Sequence, residues 1–103
     1  MLYFNYNGKI LKEHTPIAGP DNRGLRYGDG LFETIKYKDA QLVLPDEHFA
    51  RLWKGLQLLQ FEIPKLFTAE MLQSSITQLV QKNNLATARI RVSVIRGDGG
   101  LYD

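Results

Sequence analysis

Hydrophobic and polar residues alternate in several short stretches of the chain, with the period of two that is typical of strands buried on one face. Asn7-Gly8 separates the first two stretches and favours a tight hairpin turn, because both central positions need a positive φ. Asp39-Ala40 provides a turn between two later stretches. The strands predicted in this way cover residues 2–6, 9–11, 31–38, 41–44 and 89–95.

Two stretches between the fourth and fifth strands carry apolar residues at the helical spacing of three and four positions. The first helix is predicted to begin at Pro45, which two acidic residues follow, and to end near Gln60. The second is predicted to begin after Thr68, which can cap it, and to end at Asn83-Asn84. The apolar stripes consist of Phe49, Leu52, Trp53, Leu56 and Leu59 in the first helix and Leu72, Ile76 and Leu79 in the second. This order predicts one α+β domain over residues 1–103, a small antiparallel β-sheet with two α-helices.

The alternation also assigns side chains to the two faces of the predicted strands. The third strand has Phe32, Thr34 and Lys36 on one face and Leu31, Glu33, Ile35 and Tyr37 on the other, and the last strand separates Ile90, Val92 and Val94 from Arg89, Arg91, Ser93 and Ile95. Glu33 is thus a carboxylate on an apolar, core-facing surface, where it needs a hydrogen-bonding or cationic partner. Arg23 or Arg26 could supply that partner. We interpret Glu33 as a paired structural group rather than a catalytic one.

The first predicted helix carries Arg51 away from its apolar stripe. On a helical wheel the side chain lies roughly 130° from the centre of the stripe, so it faces either water or a ligand. Solvent is the commoner surrounding of an isolated arginine. The two-glycine turn at Gly28 and Gly30 nevertheless points to a phosphate-bearing ligand, which a guanidinium can bind as a rigid fork. His48 lies nearer the stripe and is predicted to be packed and hydrogen-bonded rather than to act as a base.

Composition narrows the classes of function that need to be considered. The chain has 103 residues, of which 44% are hydrophobic, enough for the core of one domain. Its net charge is +2, and the basic residues are scattered apart from Arg89, Arg91 and Arg96, so nucleic acid is not an expected partner. The chain has no cysteine and two histidines, which leaves no thiolate site and predicts no metal centre. No leader or membrane-spanning run is evident, and the cytoplasm is the expected compartment.

Three motifs together resemble the N-terminal domain of the class IV aminotransferases, the fold-type IV pyridoxal-phosphate enzymes. They are Arg23-Gly-x-x-Tyr27-Gly28-Asp29-Gly30-x-Phe32-Glu33, His48-x-x-Arg51-Leu52 and Arg89-Ile-Arg91-Val-Ser-Val-Ile-Arg96-Gly97. Their order and spacing are similar to those of the family over nearly the whole chain. The resemblance implies pyridoxal 5′-phosphate (PLP) as the cofactor and a homo-oligomer as the assembly.

The resemblance also implies roles for particular residues. Arg51 would contact the phosphate of PLP, and Phe32, Thr34 and Lys36 would line the substrate side of the pocket. Arg91 matches a position where a basic residue can meet a substrate carboxylate. Such a site requires Arg51 to face the concave surface that Phe32, Thr34 and Arg91 share.

Sequence differences within the family favour one substrate class over others. Leu101 and Asp103 occupy positions where D-amino-acid aminotransferases carry an arginine and a histidine, so specificity for D-amino acids is not expected. Leu101 also stands where 4-amino-4-deoxychorismate lyase tends to carry an arginine, which slightly favours an aminotransferase acting on a branched-chain-like amino acid and a 2-oxo acid. The lyase remains an alternative.

The family's Schiff-base lysine and the acid that protonates the cofactor ring belong to a C-terminal domain. None of the chain's lysines matches the Schiff-base position, so we expect no catalytic residue here and no activity from these 103 residues alone. The chain is therefore interpreted as the N-terminal small domain of a larger enzyme. A rival class is a non-catalytic domain that binds an anion or nucleic acid through Arg51, Arg89, Arg91 and Arg96. A protein-interaction module is the third possibility.

Overall fold

The fold is known from a computed structural model, which describes residues 2–16 and 30–95. Within these residues, strands and helices follow the order β1-β2-β3-β4-α1-α2-β5. The strands are β1 (Tyr3–Tyr6), β2 (Lys9–Lys12), β3 (Gly30–Lys38), β4 (Gln41–Leu42) and β5 (Ala88–Ile95), and the helices are α1 (Pro45–Leu58) and α2 (Ala69–Lys82). The predicted α+β class and element order are confirmed.

The strands form two antiparallel sheets rather than one. β1 and β2 make a hairpin whose turn residues Asn7 and Gly8 have φ values of 52° and 89°, as the sequence predicts. The second sheet has the order β4-β3-β5. β5 pairs with β3 along its whole length, from Ala88 opposite Tyr37 to Ile95 opposite Gly30.

Glycine is required at the first position of β3 for a steric reason. A Cβ atom at Gly30 would collide with the carbonyl oxygen of Val94 on the neighbouring strand. That oxygen belongs to the backbone of a paired strand, so it cannot move aside as a flexible side chain could. The second glycine of the predicted turn therefore serves the close pairing of β3 and β5.

The helices begin where the sequence predicts. Leu44 adopts a left-handed conformation with a φ of 53°, and Pro45 then opens α1. Thr68 caps α2, because its hydroxyl oxygen accepts a hydrogen bond from the backbone N–H of Met71 at 3.1 Å. α1 ends at Leu58, slightly earlier than predicted. Gln60 beyond it has a φ of 59°, and a right-handed helix cannot continue through a residue in this left-handed conformation.

The core lies between the helices and one face of the three-stranded sheet. We call this the inner face; it carries Leu31, Glu33, Ile35 and Tyr37 of β3 and Ile90, Val92 and Val94 of β5. Its buried hydrophobic residues are Ile35, Tyr37, Leu42, Phe49, Leu52, Leu56, Leu72, Ile76 and Val80. The alternating burial of β3 and β5 confirms the predicted faces. The helical stripes need two corrections: Leu59 is 43% exposed because α1 has already ended, and Val80 is buried where Leu79 was expected. β4 is also shorter than the predicted 41–44.

Candidate functional site

A charged cluster joins the inner face of β3 to α1, and we call Glu33, His48 and Arg51 the Glu33 cluster. The guanidinium of Arg51 donates twice to the carboxylate, from Nε to Oε1 at 2.6 Å and from Nη2 to Oε2 at 2.8 Å. Nδ1 of His48 lies 2.7 Å from the same Oε2. His48 and Arg51 can reach one carboxylate because residues three apart on a helix lie on neighbouring positions of its surface.

Glu33 needs these partners because its position in β3 removes it from water. Its side chain is 11% exposed, whereas that of Arg51 is 69% exposed. The prediction that Glu33 is a paired carboxylate on the core-facing surface is confirmed, and so is the prediction that His48 is packed and hydrogen-bonded. The proposed partners Arg23 and Arg26 lie outside the described residues. Among the described residues, Arg51 and His48 supply the pairing.

The electrostatics of the cluster favour an ionised carboxylate. Hydrogen bonding from Arg51 is the largest cause that lowers the pKa of Glu33, and hydrogen bonding from His48 acts in the same direction. Together with the positive charge of Arg51 they outweigh the opposing effect of burial and lower the pKa from 4.5 to about 2. The hydrogen bonds between Arg51 and Glu33 likewise raise the pKa of Arg51 above its already high ordinary value.

The partner of His48 determines which of its ring nitrogens is the donor. A carboxylate oxygen only accepts, so Nδ1 carries the proton that it donates to Glu33. The 3.4 Å separation of that nitrogen from Nη2 of Arg51 then joins two donors and is not a hydrogen bond. Among residues 2–16 and 30–95, no group pairs with Nη1 of Arg51.

The opposite face of the sheet carries the other predicted site residues. We call this surface, formed by Phe32, Thr34, Lys36, Arg89, Arg91 and Ser93, the outer face; each of its members is exposed. Thr34 lies opposite Arg91 in the register, and Lys36 lies opposite Arg89. The Arg91 guanidinium carbon lies 4.0 Å from the centre of the Phe32 ring, a cation–π geometry. Cross-strand pairing thus brings the four predicted substrate-side residues together.

Arg51 does not share that surface. Its guanidinium binds Glu33, whose side chain points to the inner face, whereas Phe32, Thr34 and Arg91 belong to the outer face. The expected common concave surface is therefore not formed among the described residues. The physical reason is that α1 packs on the inner face through Leu52 and Leu56, which places its one arginine beside the poorly solvated Glu33 carboxylate.

Within the described part of the chain, one edge of β3 is left unpaired along most of its length, and it borders both the inner and the outer face of the sheet. β4 pairs with β3 only at Tyr37 and Lys38, and the backbone N–H of Val43 adds a bond to the carbonyl of Lys36. No strand of the described residues lies along this edge at residues 30–35. We call this stretch the open edge. Glu33 with Arg51 flanks it on one side, and Phe32 and Thr34 flank it on the other.

Two further features, a metal-ligand cluster and a membrane-spanning helix, are absent from the part of the chain that the structure describes. No three side chains among these residues are placed to hold a metal ion. None of the described helices is long and apolar enough to cross a membrane. Several predictions concern residues outside the described ranges. They are the substrate preference inferred from Leu101 and Asp103, the part of the two-glycine turn that precedes Gly30, and the role of Arg96.

Comparison with known proteins gives consistent similarities. A family model described as "Amino-transferase class IV" matches residues 30–103. The chain is 36% identical over 95 residues to a putative branched-chain-amino-acid aminotransferase of Methanocaldococcus jannaschii, covering 92% of this chain and 32% of that protein. It is 30% identical over 97 residues to a D-alanine aminotransferase of Bacillus licheniformis, covering 94% of this chain and 30% of that protein.

A solved structure shows the same similarity in three dimensions. The PLP-bound form of a hypothetical aminotransferase from Mycobacterium tuberculosis superposes with a TM-score of 0.75 at 26% identity, over 88% of this chain and 32% of that one. The chain thus spans about a third of the length of the curated relatives that it matches.

Proposed function

This chain belongs to the class IV aminotransferase family, and we propose that it is the N-terminal part of an enzyme that uses PLP to transfer an amino group between an amino acid and a 2-oxo acid. The catalytic lysine of that enzyme would lie in a C-terminal domain outside these 103 residues. We further propose a branched-chain-like amino acid as the substrate. The 36% identity to the putative branched-chain enzyme supports this choice over D-alanine, for which the identity is 30%.

The open edge of β3 is the observation that carries the proposal. In this proposal a phosphorylated cofactor lies along this edge, with Arg51 on its inner side and the outer face on its other side. Arg51 fits a phosphate, because its Nη1 atom has no partner among the described residues and a guanidinium binds phosphate through two parallel N–H groups. The charge of Arg51 is fixed, since its pKa is raised above an already high value.

The outer face fits the substrate part of the proposal. Arg91 offers a cation to a substrate carboxylate, and its stacking on Phe32 holds the guanidinium over the outer face. Phe32 is 56% exposed and offers an apolar surface to a branched side chain. Thr34 lies beside Arg91 across the strands and can donate or accept one further hydrogen bond.

The chemistry is divided between cofactor and protein. When bound, PLP supplies the electron-accepting ring that makes amino transfer possible. The residues of this chain bind and orient: Arg51 would anchor the phosphate, and Arg91 would align the substrate carboxylate. Such fixed orientation accounts for a large part of the rate in enzymes of many kinds.

The test is to purify the full-length gene product and measure PLP binding and amino transfer from L-leucine or D-alanine to a 2-oxo acid. We expect bound PLP, transfer from L-leucine, and weaker PLP binding in Arg51→Gln. A folded protein that binds no PLP and transfers no amino group would contradict the proposal. Steeply salt-dependent binding of nucleic acid, without PLP binding, would favour the non-catalytic alternative.

A further inference from the structure

We propose that Glu33 is a positioning residue, which holds the Arg51 guanidinium side-on so that its outer edge is presented to a phosphate group, with His48 steadying the carboxylate. This inference rests on the proposed function, in which Arg51 binds the phosphate of PLP. It adds a role for two residues that do not themselves touch the cofactor.

The geometry of the pair is the first support. Glu33 engages Nε and Nη2 of Arg51 at 2.6 and 2.8 Å, which is the side-on arrangement of a carboxylate and a guanidinium. Side-on pairing leaves the edge that contains Nη1 directed away from the carboxylate. A phosphate can therefore bind that edge without displacing Glu33.

The contrast in burial is the second support. An arginine that is 69% exposed would ordinarily sample many rotamers, and holding it still for a ligand has an entropic cost. Glu33 is 11% exposed and sits on a strand that is paired along its length with β5, so it is a rigid attachment point. Pairing with Glu33 orders the guanidinium before any ligand arrives, and preorganisation of this kind increases affinity.

His48 completes the arrangement from the same helix. Its Nδ1 donates to Oε2 at 2.7 Å, the oxygen that also accepts from Nη2 of Arg51. A carboxylate held by two donors on different side chains has little freedom to rotate. The histidine is 21% exposed, which is consistent with support from behind rather than contact with a ligand.

The experiment compares PLP with pyridoxal, which lacks the phosphate, in the full-length gene product. Affinities are measured for the native protein, Glu33→Gln, Arg51→Gln and the double variant. Glutamine has nearly the shape of glutamate, but its amide nitrogen opposes the N–H groups of Arg51 and His48. Glu62→Gln is the matched control, because Glu62 is exposed and the change in charge is the same.

We expect Glu33→Gln to weaken PLP binding by about tenfold, the loss associated with one hydrogen bond to a charged group, and to leave pyridoxal binding unchanged. In the Arg51→Gln background the Glu33 substitution should have no further effect, because Glu33 acts through Arg51. A general loss of structure would weaken both ligands equally. Glu62→Gln should leave both affinities at the native value.

The outcomes separate the two proposals. If Arg51→Gln leaves PLP binding unchanged, the phosphate assignment in the proposed function fails. If Arg51→Gln weakens PLP binding and Glu33→Gln does not, or if the two effects simply add, the positioning role of Glu33 is wrong while the proposed function stands.

A second measurement covers the case in which Glu33→Gln does not fold. Nitrogen-15 NMR of the native protein follows the Arg51 side chain while inorganic phosphate is added. We expect the Nη resonances to shift and the Nε–H resonance, which Glu33 holds, to stay in place. A phosphate-induced shift of Nε–H equal to that of the Nη groups would mean that phosphate displaces Glu33, and would overturn the inference.

Discussion

At the scale of single residues, the strand pattern predicts that Glu33 needs a partner but not which residue that partner is. The alternation of β3 identifies a carboxylate on an apolar face, and elementary solvation requires a partner for it. Which residue becomes that partner is not a local matter. His48 and Arg51 follow Glu33 by 15 and 18 positions and reach it only after α1 has packed on the sheet.

The pairing of Glu33 predicts how stability depends on pH. Its pKa is about 2 in the folded protein and 4.5 without these interactions, so the folded state binds the proton less readily than the unfolded state. The stabilisation is fully present above pH 4.5 and is lost as the pH falls toward 2. In urea unfolding, the free energy of unfolding of the native protein should fall more steeply across this range than that of Glu33→Gln. Parallel curves for the two proteins would contradict the pairing.

At the scale of elements, the hairpin of β1 and β2 is attached to the end of α2 through the side chains of Asn83 and Lys82. Asn83 accepts a hydrogen bond from the N–H of Tyr3 at 2.7 Å and donates one to the carbonyl of Tyr3 at 3.1 Å. The ammonium of Lys82 lies 4.7 Å from the centre of the Tyr3 ring. The sequence predicts Asn83 as a helix end, which is confirmed, but contains no sign of this second role.

We predict that Asn83→Ala loosens the hairpin from α2. Two hydrogen bonds to the hairpin, of about 0.5–1.5 kcal/mol each, are lost together with the one to the carbonyl of Leu79, and the Tyr3 amide loses its acceptor. Hydrogen exchange of the Tyr3 amide should accelerate more than that of amides in β3. Asn83→Asp is the control, since its carboxylate still accepts from that amide. Unchanged exchange at Tyr3 in Asn83→Ala would show that the hairpin is held elsewhere.

The bounds of the elements were predictable wherever a strong local signal exists. The turn at Asn7-Gly8, the cap at Thr68 and Pro45 at the start of α1 each act within a few residues, and all three are confirmed. Leu59 was wrongly included in a buried stripe and Val80 was missed, because the edge of an apolar stripe depends on which surface the helix meets.

At the scale of the whole molecule, α1 is the element that links the core to the candidate site. Leu52 is 1% exposed in the core, and its neighbour Arg51 reaches the Glu33 carboxylate. Packing of the apolar side of the helix therefore sets the position of the guanidinium. A substitution in the core beneath α1 should therefore shift Arg51 relative to Glu33.

We predict that Leu52→Ala lowers the free energy of unfolding by about 2–5 kcal/mol, the cost of a cavity in a packed core. Leu58→Ala on the same helix is the matched control, because Leu58 is 73% exposed and its loss should cost no more than about 0.5 kcal/mol. Chemical denaturation measures both values. Equal effects at the two positions would mean that α1 does not pack on the sheet through Leu52.

The sequence by itself determined the class of the fold, the order of its elements and the faces of β3 and β5, because periods of two and of about 3.6 residues are properties of the local backbone. It also brought Phe32, Thr34, Lys36 and Arg91 into one set, which the register of the two strands places on one face. Tertiary structure alone decided that Arg51 binds Glu33 on the other face. That choice depends on the free energy of a carboxylate shielded from water, and the shielding exists only once helix and sheet have come together.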